Sequence, residues 1–159
     1  LPLTLFPYTT LFRSLGLKVS KVRIGLVLAE DGGMLEKLKE PVAFNVGAPL
    51  GSGKQWQSWI HIEDLARIFL HVLQNKLEGT YNAVAPNPVT NKELVREVAS
   101  QMGKPVWLPP IPGFALKLAL GEMAHLLLSS QLVSSNKIEK TGFVFKYVNL
   151  PKALEKLIA

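Results

Sequence analysis

The run Gly51-Ser-Gly-Lys-Gln-Trp-Gln-Ser-Trp-Ile-His-Ile-Glu-Asp-Leu-Ala66 sets a glycine-rich turn, a tryptophan-bearing strand and the start of an amphipathic helix directly against one another. Over 62–75 the apolar residues Leu65, Ile68, Phe69, Val72 and Leu73 recur at i, i+3, i+4, i+7 and i+8, the stripe of a helix with one buried face. Hydrophobic periodicity therefore passes from strand-like to helix-like with no linker between. Repeated along a chain, that switch specifies an α/β architecture.

It is repeated. Residues 18–28 end in the apolar, β-branched run Arg23-Ile-Gly-Leu-Val-Leu28 and predict a buried strand. Asp31-Gly-Gly33 breaks it. A short helix is expected over 34–39, ending before Pro41, and 42–46 reads as a strand. The segment 56–61 reads as one strand and 80–84 as another. Thr90 and Glu93 stand at capping-box spacing, ahead of the apolar face Leu94, Val95, Val98, Ala99 and Met102, and Gly103 stops that helix. Residues 105–112 are a proline-rich connector carrying Trp107. Helices are expected at 114–120, 122–128 and 134–140. The alternation Phe143, Phe145, Tyr147 predicts a last short strand, and Asn149 is placed to cap a helix with Pro151 in its first turn that runs to Ile158. No internal repeat is present. The composition shift near Pro105 divides a strand–helix part, 15–104, from a mostly helical part, 105–159.

Composition narrows the function classes. With 159 residues, 48% hydrophobic and 19% charged, the chain is long and apolar enough to build its own core. The absence of cysteine excludes a disulfide framework and any thiolate metal site. The net charge of +6 is scattered, with no run of like charge and no basic stretch interleaved with aromatics, so no nucleic-acid partner is expected. The most apolar stretch, 112–132, is interrupted by Lys117, Glu122 and His125, which favours two short buried helices over a membrane span. A cytoplasmic setting is expected. Residues 1–14 lack an initiating methionine and a basic n-region, and they resemble translated adapter sequence. They are set aside as non-native, which leaves a charge of +5 because Arg13 is their one charged residue.

Several chemistries can be weighed on their residues. A P-loop would need glycine at Ala48 and a hydroxyl at Gln55, and a strand rather than a helix follows. His61 and Asp64 could meet on one helix face as an acid–base pair, but they lack a nucleophile or third group. The structural alternative is favoured: Asp64 stabilised by the helix dipole in the first turn, and His61 bonding the neighbouring backbone. His61, His71 and His125 lack the spacing of a zinc site, so no metal is expected. Along 55–60, Gln55, Gln57 and Trp59 share one face, and Trp56, Ser58 and Ile60 the other. A tryptophan beside amides can line a ligand pocket or belong to the core.

Taken in order, these blocks resemble the C-terminal half of extended short-chain dehydrogenase/reductases, in the branch of NAD-dependent epimerase-family proteins. Arg23 to Leu28 with Gly32-Gly33 resembles a late strand of the dinucleotide domain. Residues 51–64 resemble the loop–strand–helix signature, and Tyr81-Asn-Ala-Val-Ala-Pro-Asn-Pro-Val-Thr-Asn91 the next strand and helix start. Leu120-Gly-Glu-Met123, Gln131-Leu-Val133 and Gly142-Phe-Val-Phe145 resemble this branch's C-terminal domain of unknown function. The resemblance covers about 22–157 and implies a partial doubly wound, Rossmann-like sheet plus a mostly helical substrate-side domain, truncated at the N-terminus. It implies NAD or NADP in the intact parent, a small-molecule substrate and hydride transfer assisted by a tyrosine and a lysine.

The chain departs from the family's pattern in what it lacks. The family's glycine fingerprint and Tyr-x-x-x-Lys are not found: Tyr8 is followed four residues on by Phe12, Tyr81 by Ala85 and Tyr147 by Pro151. No catalytic residue is assigned, and the chain alone is expected to be inactive and to hold no cofactor tightly. Arg23, Gln55, Trp59, His61 and Asn82 are the candidates for substrate-pocket or scaffold positions, with Asp64 and Thr90 structural. Gln57 stands where nucleotide-sugar epimerases carry a phosphate-binding arginine, which argues against a nucleotide-diphosphate sugar. The alternative class is a non-catalytic binding module on the same fold. A third outcome is a chain that exposes apolar faces and sheet edges and does not fold stably. Oligomeric state and the choice between NAD and NADP stay open.

Overall fold

The computed structural model describes residues 12, 14–121, 124 and 128–158. The reading of 1–14 as non-native and the expected helix at 122–128, with His125, fall largely outside these residues. The strands are β1 (Ser20–Ile24), β2 (Leu26–Leu28), β3 (Trp56–Gln57), β4 (Trp59–His61), β5 (Gly79–Ala83) and β6 (Val89–Thr90). The helices are α1 (Gly33–Ala43), α2 (Ile62–Gln74), α3 (Asn91–Gln101), α4 (Gly113–Leu120), α5 (Asn136–Glu139) and α6 (Leu150–Ile158).

Two crossovers build the frame. β2 leads through α1 to the parallel β4, and β4 leads through α2 to β5, parallel to β1. Side chains on these strands alternate between two cores. Leu26, Leu28 and Trp59 face a cluster with Leu35, Leu94, Val98 and Leu154. Val22, Val27 and Ile60 face a second cluster with Ile68, Val72, Ile138, Phe143 and Phe145. Helices packed on both faces of these parallel strands bury Leu28, Trp59 and Ile60 completely, while Ile24 at the end of β1 stays 51% exposed. Among the described residues no helix is long and apolar enough to cross a membrane.

The 18–28 strand is divided at Gly25, where the chain passes from one partner to the other. Gly25 N–H donates to the Ala83 carbonyl and Leu26 N–H to the Ser58 carbonyl. A Cβ on Gly25 would stand 2.3 Å from the Ser58 oxygen, so only glycine admits this approach.

Six expectations need correction. The helix expected over 34–39 runs to Ala43 with Pro41 inside it. Pro41 lies in the last turn, where it forfeits one backbone bond, and burial of Leu35, Leu38 and Val42 outweighs that cost. The strand expected over 42–46 is absent: Val42 and Ala43 belong to α1, and Asn45 turns the chain at φ 60°. The single strand expected over 56–61 is two. β3 pairs antiparallel with β6 and β4 pairs parallel with β2, with Ser58 at the break. The strand expected at 143–147 is an extended segment with no ladder. Phe143, Phe145 and Tyr147 do point inward, but their backbone is tied down by side chains of α2. The helix expected over 134–140 is the single turn α5, and two of the five stripe residues of 62–75, Phe69 and Leu73, are exposed, 41% and 73% accessible.

Thr90 and Glu93 close a reciprocal capping box at α3, with Thr90 N–H to the Glu93 carboxylate at 2.7 Å and Glu93 N–H to Thr90 Oγ1 at 3.3 Å. Thr90→Ala is expected to cost about 1 kcal/mol, read as a lower urea midpoint with unchanged slope.

Candidate functional site

The glycine loop at 51–53 is braced from within. Gln55 is buried, and its Nε2 donates to the Leu50 carbonyl at 2.8 Å. Leu50 N–H donates to Asn91 Oδ1 at 2.8 Å, and Asn91 N–H to the Gln55 carbonyl at 2.9 Å. Lys92 N–H reaches the Gly53 carbonyl at 3.0 Å, which ties the loop to the start of α3. The loop leads into β3, not into a helix.

At the C-terminal end of β4, His61 caps α2. Its Nδ1 accepts from Glu63 N–H at 3.0 Å, which places the ring proton on Nε2. That Nε2 is buried and has no hydrogen-bond partner among the described residues. The imidazole stacks on Tyr147, ring centroids 3.8 Å apart. Burial lowers the His61 pKa from its ordinary 6.5, against the opposing pull of Asp64 and Glu63, and Lys146 adds to the lowering.

The sign of the pH effect follows. The unfolded chain takes up this proton first, below about pH 6.5. Stability is therefore complete above that pH and is lost as pH falls from there toward the lowered folded value. Protonation would also turn Nδ1 from acceptor to donor and remove the cap. His61→Asn keeps a capping oxygen and does not titrate. Its urea midpoint is expected to fall less steeply between pH 6.5 and 5 than that of the parent chain.

Asp64 is fully buried. Its Oδ2 accepts from Tyr147 N–H at 2.8 Å and Lys146 N–H at 3.1 Å, and its Oδ1 from Arg67 Nη1 at 2.5 Å. Arg67 Nη2 reaches the Val144 carbonyl at 2.9 Å. Above them, Lys146 Nζ pairs with Glu63 at 2.7 Å, which holds the Glu63 carboxyl below its ordinary range. The cluster fastens 144–147 to α2.

The remaining candidates lie apart. Arg23 is exposed on β1, in register with Asn82 on β5, and Asn82 Nδ2 donates to the Ser134 carbonyl at 3.1 Å. Trp59 is fully buried, and its Nε1 donates to the Asn87 carbonyl at 2.8 Å. His71 bonds Thr141. Among the described residues no group of three metal-ligating side chains forms.

Arg23, Gln55, Trp59, His61 and Asn82 are absent from the walls of a cavity beside α1. This is a space of about 390 Å³ between α1, the 46–50 segment and the start of α4, lined by residues that include Leu38, Val42, Ala48, Val95, Ile111 and Leu116. A recess of about 190 Å³ shares Met34, Leu38 and Leu50 with it and adds Leu26, Leu94, Gln57 and Asn91. Sequence reasoning missed these residues because their spacing is that of any buried helix face. A larger groove of about 680 Å³, along β1 and α2, is open to solvent.

A parallel sheet crossed by helices on both faces, with a cavity beside it, defines a Rossmann-like α/β protein. The family model described as "NAD dependent epimerase/dehydratase family" matches residues 33–84, and "Domain of unknown function (DUF1731)" matches residues 111–157. The chain is 41% identical over 151 residues to Epimerase family protein SAR0825 of Staphylococcus aureus (strain MRSA252), covering 93% of this chain and 49% of that protein. It is 40% identical to the Epimerase family protein SDR39U1 homolog, chloroplastic, of Arabidopsis thaliana, covering 94% of this chain and 43% of that one. The crystal structure of human epimerase family protein SDR39U1 (isoform2) with NADPH superposes with a TM-score of 0.83 at 33% identity, over 89% of this chain and 48% of that one. The chain belongs to the NAD-dependent epimerase family, in the group whose epimerase segment is followed by DUF1731. It spans about half the length of the curated relatives it matches.

Proposed function

We propose that this chain is the substrate-side part of an NAD(P)-dependent oxidoreductase acting on a small molecule. The observation that carries the reading is the likeness to the human relative crystallised with NADPH, 33% identical over nearly the whole of this chain. The two crossovers and the cavity beside them support it. The residues present do not fit a dinucleotide pyrophosphate. Among the described residues, the loop that runs from a parallel strand into a long helix is 29–32, and it carries Glu30 and Asp31, which repel an anion. The glycine fingerprint and Tyr-x-x-x-Lys expected of the parent are not in the sequence. No hydride step is therefore derived from these residues, and the role proposed for this chain is to shape and dry the substrate's surroundings. Arg23, Gln55, Trp59, His61 and Asn82 are proposed as scaffold of that part. The division at 104/105 and a cytoplasmic setting belong to the same proposal.

The test is NADPH titration, read by nicotinamide fluorescence, of the protein encoded by the whole source gene and of the 159-residue chain alone. The whole protein is expected to bind saturably and the chain alone is not. Failure of a whole protein with an intact Tyr-x-x-x-Lys to bind either NADPH or NADH would overturn the reading.

A further inference from the structure

We propose that the cavity between α1, the 46–50 segment and α4, with the adjoining recess that shares Met34, Leu38 and Leu50, is a binding site for an apolar small molecule with one neutral hydrogen-bonding head, such as a ketone or alcohol, and not for a phosphorylated ligand. The inference rests on the reading of this chain as the substrate-side part, and it names the class of substrate.

The size comes first. About 390 Å³ with a 190 Å³ recess is at the lower end of small-molecule sites and too roomy to be a packing defect. The space is built into the backbone. Gly47 closes one wall so tightly that a Cβ there would stand 2.6 Å from Val42 Cγ2. Ala48, beside it, leaves open a volume that a larger side chain would fill.

The lining sets the class. Met34, Leu38, Leu50, Val95, Ile111 and Leu116 offer hydrocarbon and nothing that could pair with a charge. The charged groups of the wall are Lys37 and Glu40, both exposed on α1 and of opposite sign. A phosphate or diphosphate buried among such residues would lose its hydration with no compensating cation.

Polarity enters at the recess, in two neutral amides. Asn91 is 97% buried, and its Oδ1 is occupied by Leu50 N–H; its Nδ2 has no hydrogen bond among the described residues. Gln57, half-buried at the break between β3 and β4, likewise has no side-chain hydrogen bond among them. An Asn Nδ2 donates, and a Gln amide both donates and accepts. Together they suit a carbonyl or hydroxyl oxygen at the inner end of an otherwise apolar molecule.

The experiment uses the 159-residue chain, the straight 2-alkanones from 2-pentanone to 2-decanone, and UDP-glucose as the phosphorylated comparator. Binding is followed by amide chemical shifts. Saturable shifts are expected at Met34, Leu38, Leu50 and Gln57, with affinity rising about fourfold per added methylene until the cavity is full. UDP-glucose is expected to leave these resonances in place. Ala48→Phe is expected to lower ketone affinity at least tenfold, and Ile111→Ala to move the best chain length upward. Both variants are checked for an unchanged fold by their remaining amide shifts. Affinity that does not depend on chain length, absence of saturable shifts at these residues, or preferential binding of UDP-glucose there would overturn the proposal. Since NADPH takes no part in the readout, loss of the cofactor reading and loss of this site would be told apart.

Discussion

Replacing Asp64 by alanine is expected to cost about 3–5 kcal/mol of stability, enough to unfold much of a marginal domain. The carboxylate has no exposed surface, and it is the acceptor for two backbone N–H groups, of Lys146 and Tyr147, as well as for Arg67. Removing it leaves both N–H groups without their acceptor, each at about 1–3 kcal/mol, and leaves the half-exposed Arg67 without its anion. Asp64→Asn keeps one carboxamide oxygen for the backbone donors and loses the charge opposite Arg67. It is expected to fall between, at about 1.5–3 kcal/mol. The pair of variants is read by urea denaturation together with amide exchange. Tyr147 N–H should lose protection in both, by more in the alanine variant. A midpoint for Asp64→Ala close to that of the parent chain, with Tyr147 still protected, would show that 144–147 is held by the packing of Phe145 and Tyr147 alone.

Asp64 also marks the limit of what the sequence discloses. Its place in the first turn of a helix is legible, because the i, i+3, i+4 stripe fixes where α2 begins. Apart from Arg67 at i+3, the groups it bonds are not, because the N–H groups of Lys146 and Tyr147 lie 82 and 83 positions further on and local spacing carries no signal of them. The same division runs through the fold. α2 and α3 have apolar stripes and, at Thr90, a cap that sequence alone specifies, and β1 and β2 declare themselves by the apolar, β-branched run that ends at Leu28. The alternation at Phe143, Phe145 and Tyr147 has the period of a strand. Period records which side chains are buried, not what their backbone bonds, and here the partner is a carboxylate. Pro41 misleads in the opposite sense. It breaks a helix by rule, yet it sits in a final turn that tertiary burial retains. The cavity was illegible for a simpler reason: Leu38, Val95 and Leu116 are spaced as any core face is, and only the three-dimensional path of 46–50 leaves space between them.

The tryptophan of the opening motif gives the second large effect. Trp59→Ala is expected to destabilise by about 3–5 kcal/mol, against about 1–2 kcal/mol for Trp59→Phe. The indole is completely buried in the cluster that joins α1, α3 and α6 to the sheet. Alanine would open a hole that rigid strand neighbours cannot collapse into. Phenylalanine fills most of it and forfeits the hydrogen bond to the Asn87 backbone carbonyl. The comparison decides between the two roles open to a tryptophan beside amides. A pocket wall would show lost ligand affinity at nearly unchanged stability. A core position predicts the reverse: a urea midpoint lowered in the order parent, Phe, Ala, and ketone affinity in the α1–α4 cavity kept in whichever variant stays folded. Trp56, on β3 and 38% exposed, supplies the control. Trp56→Ala removes as many atoms from the chain and is expected to cost well under half as much, because most of the free energy of a large-to-small change comes from burial and the cavity left behind, not from the residue's size.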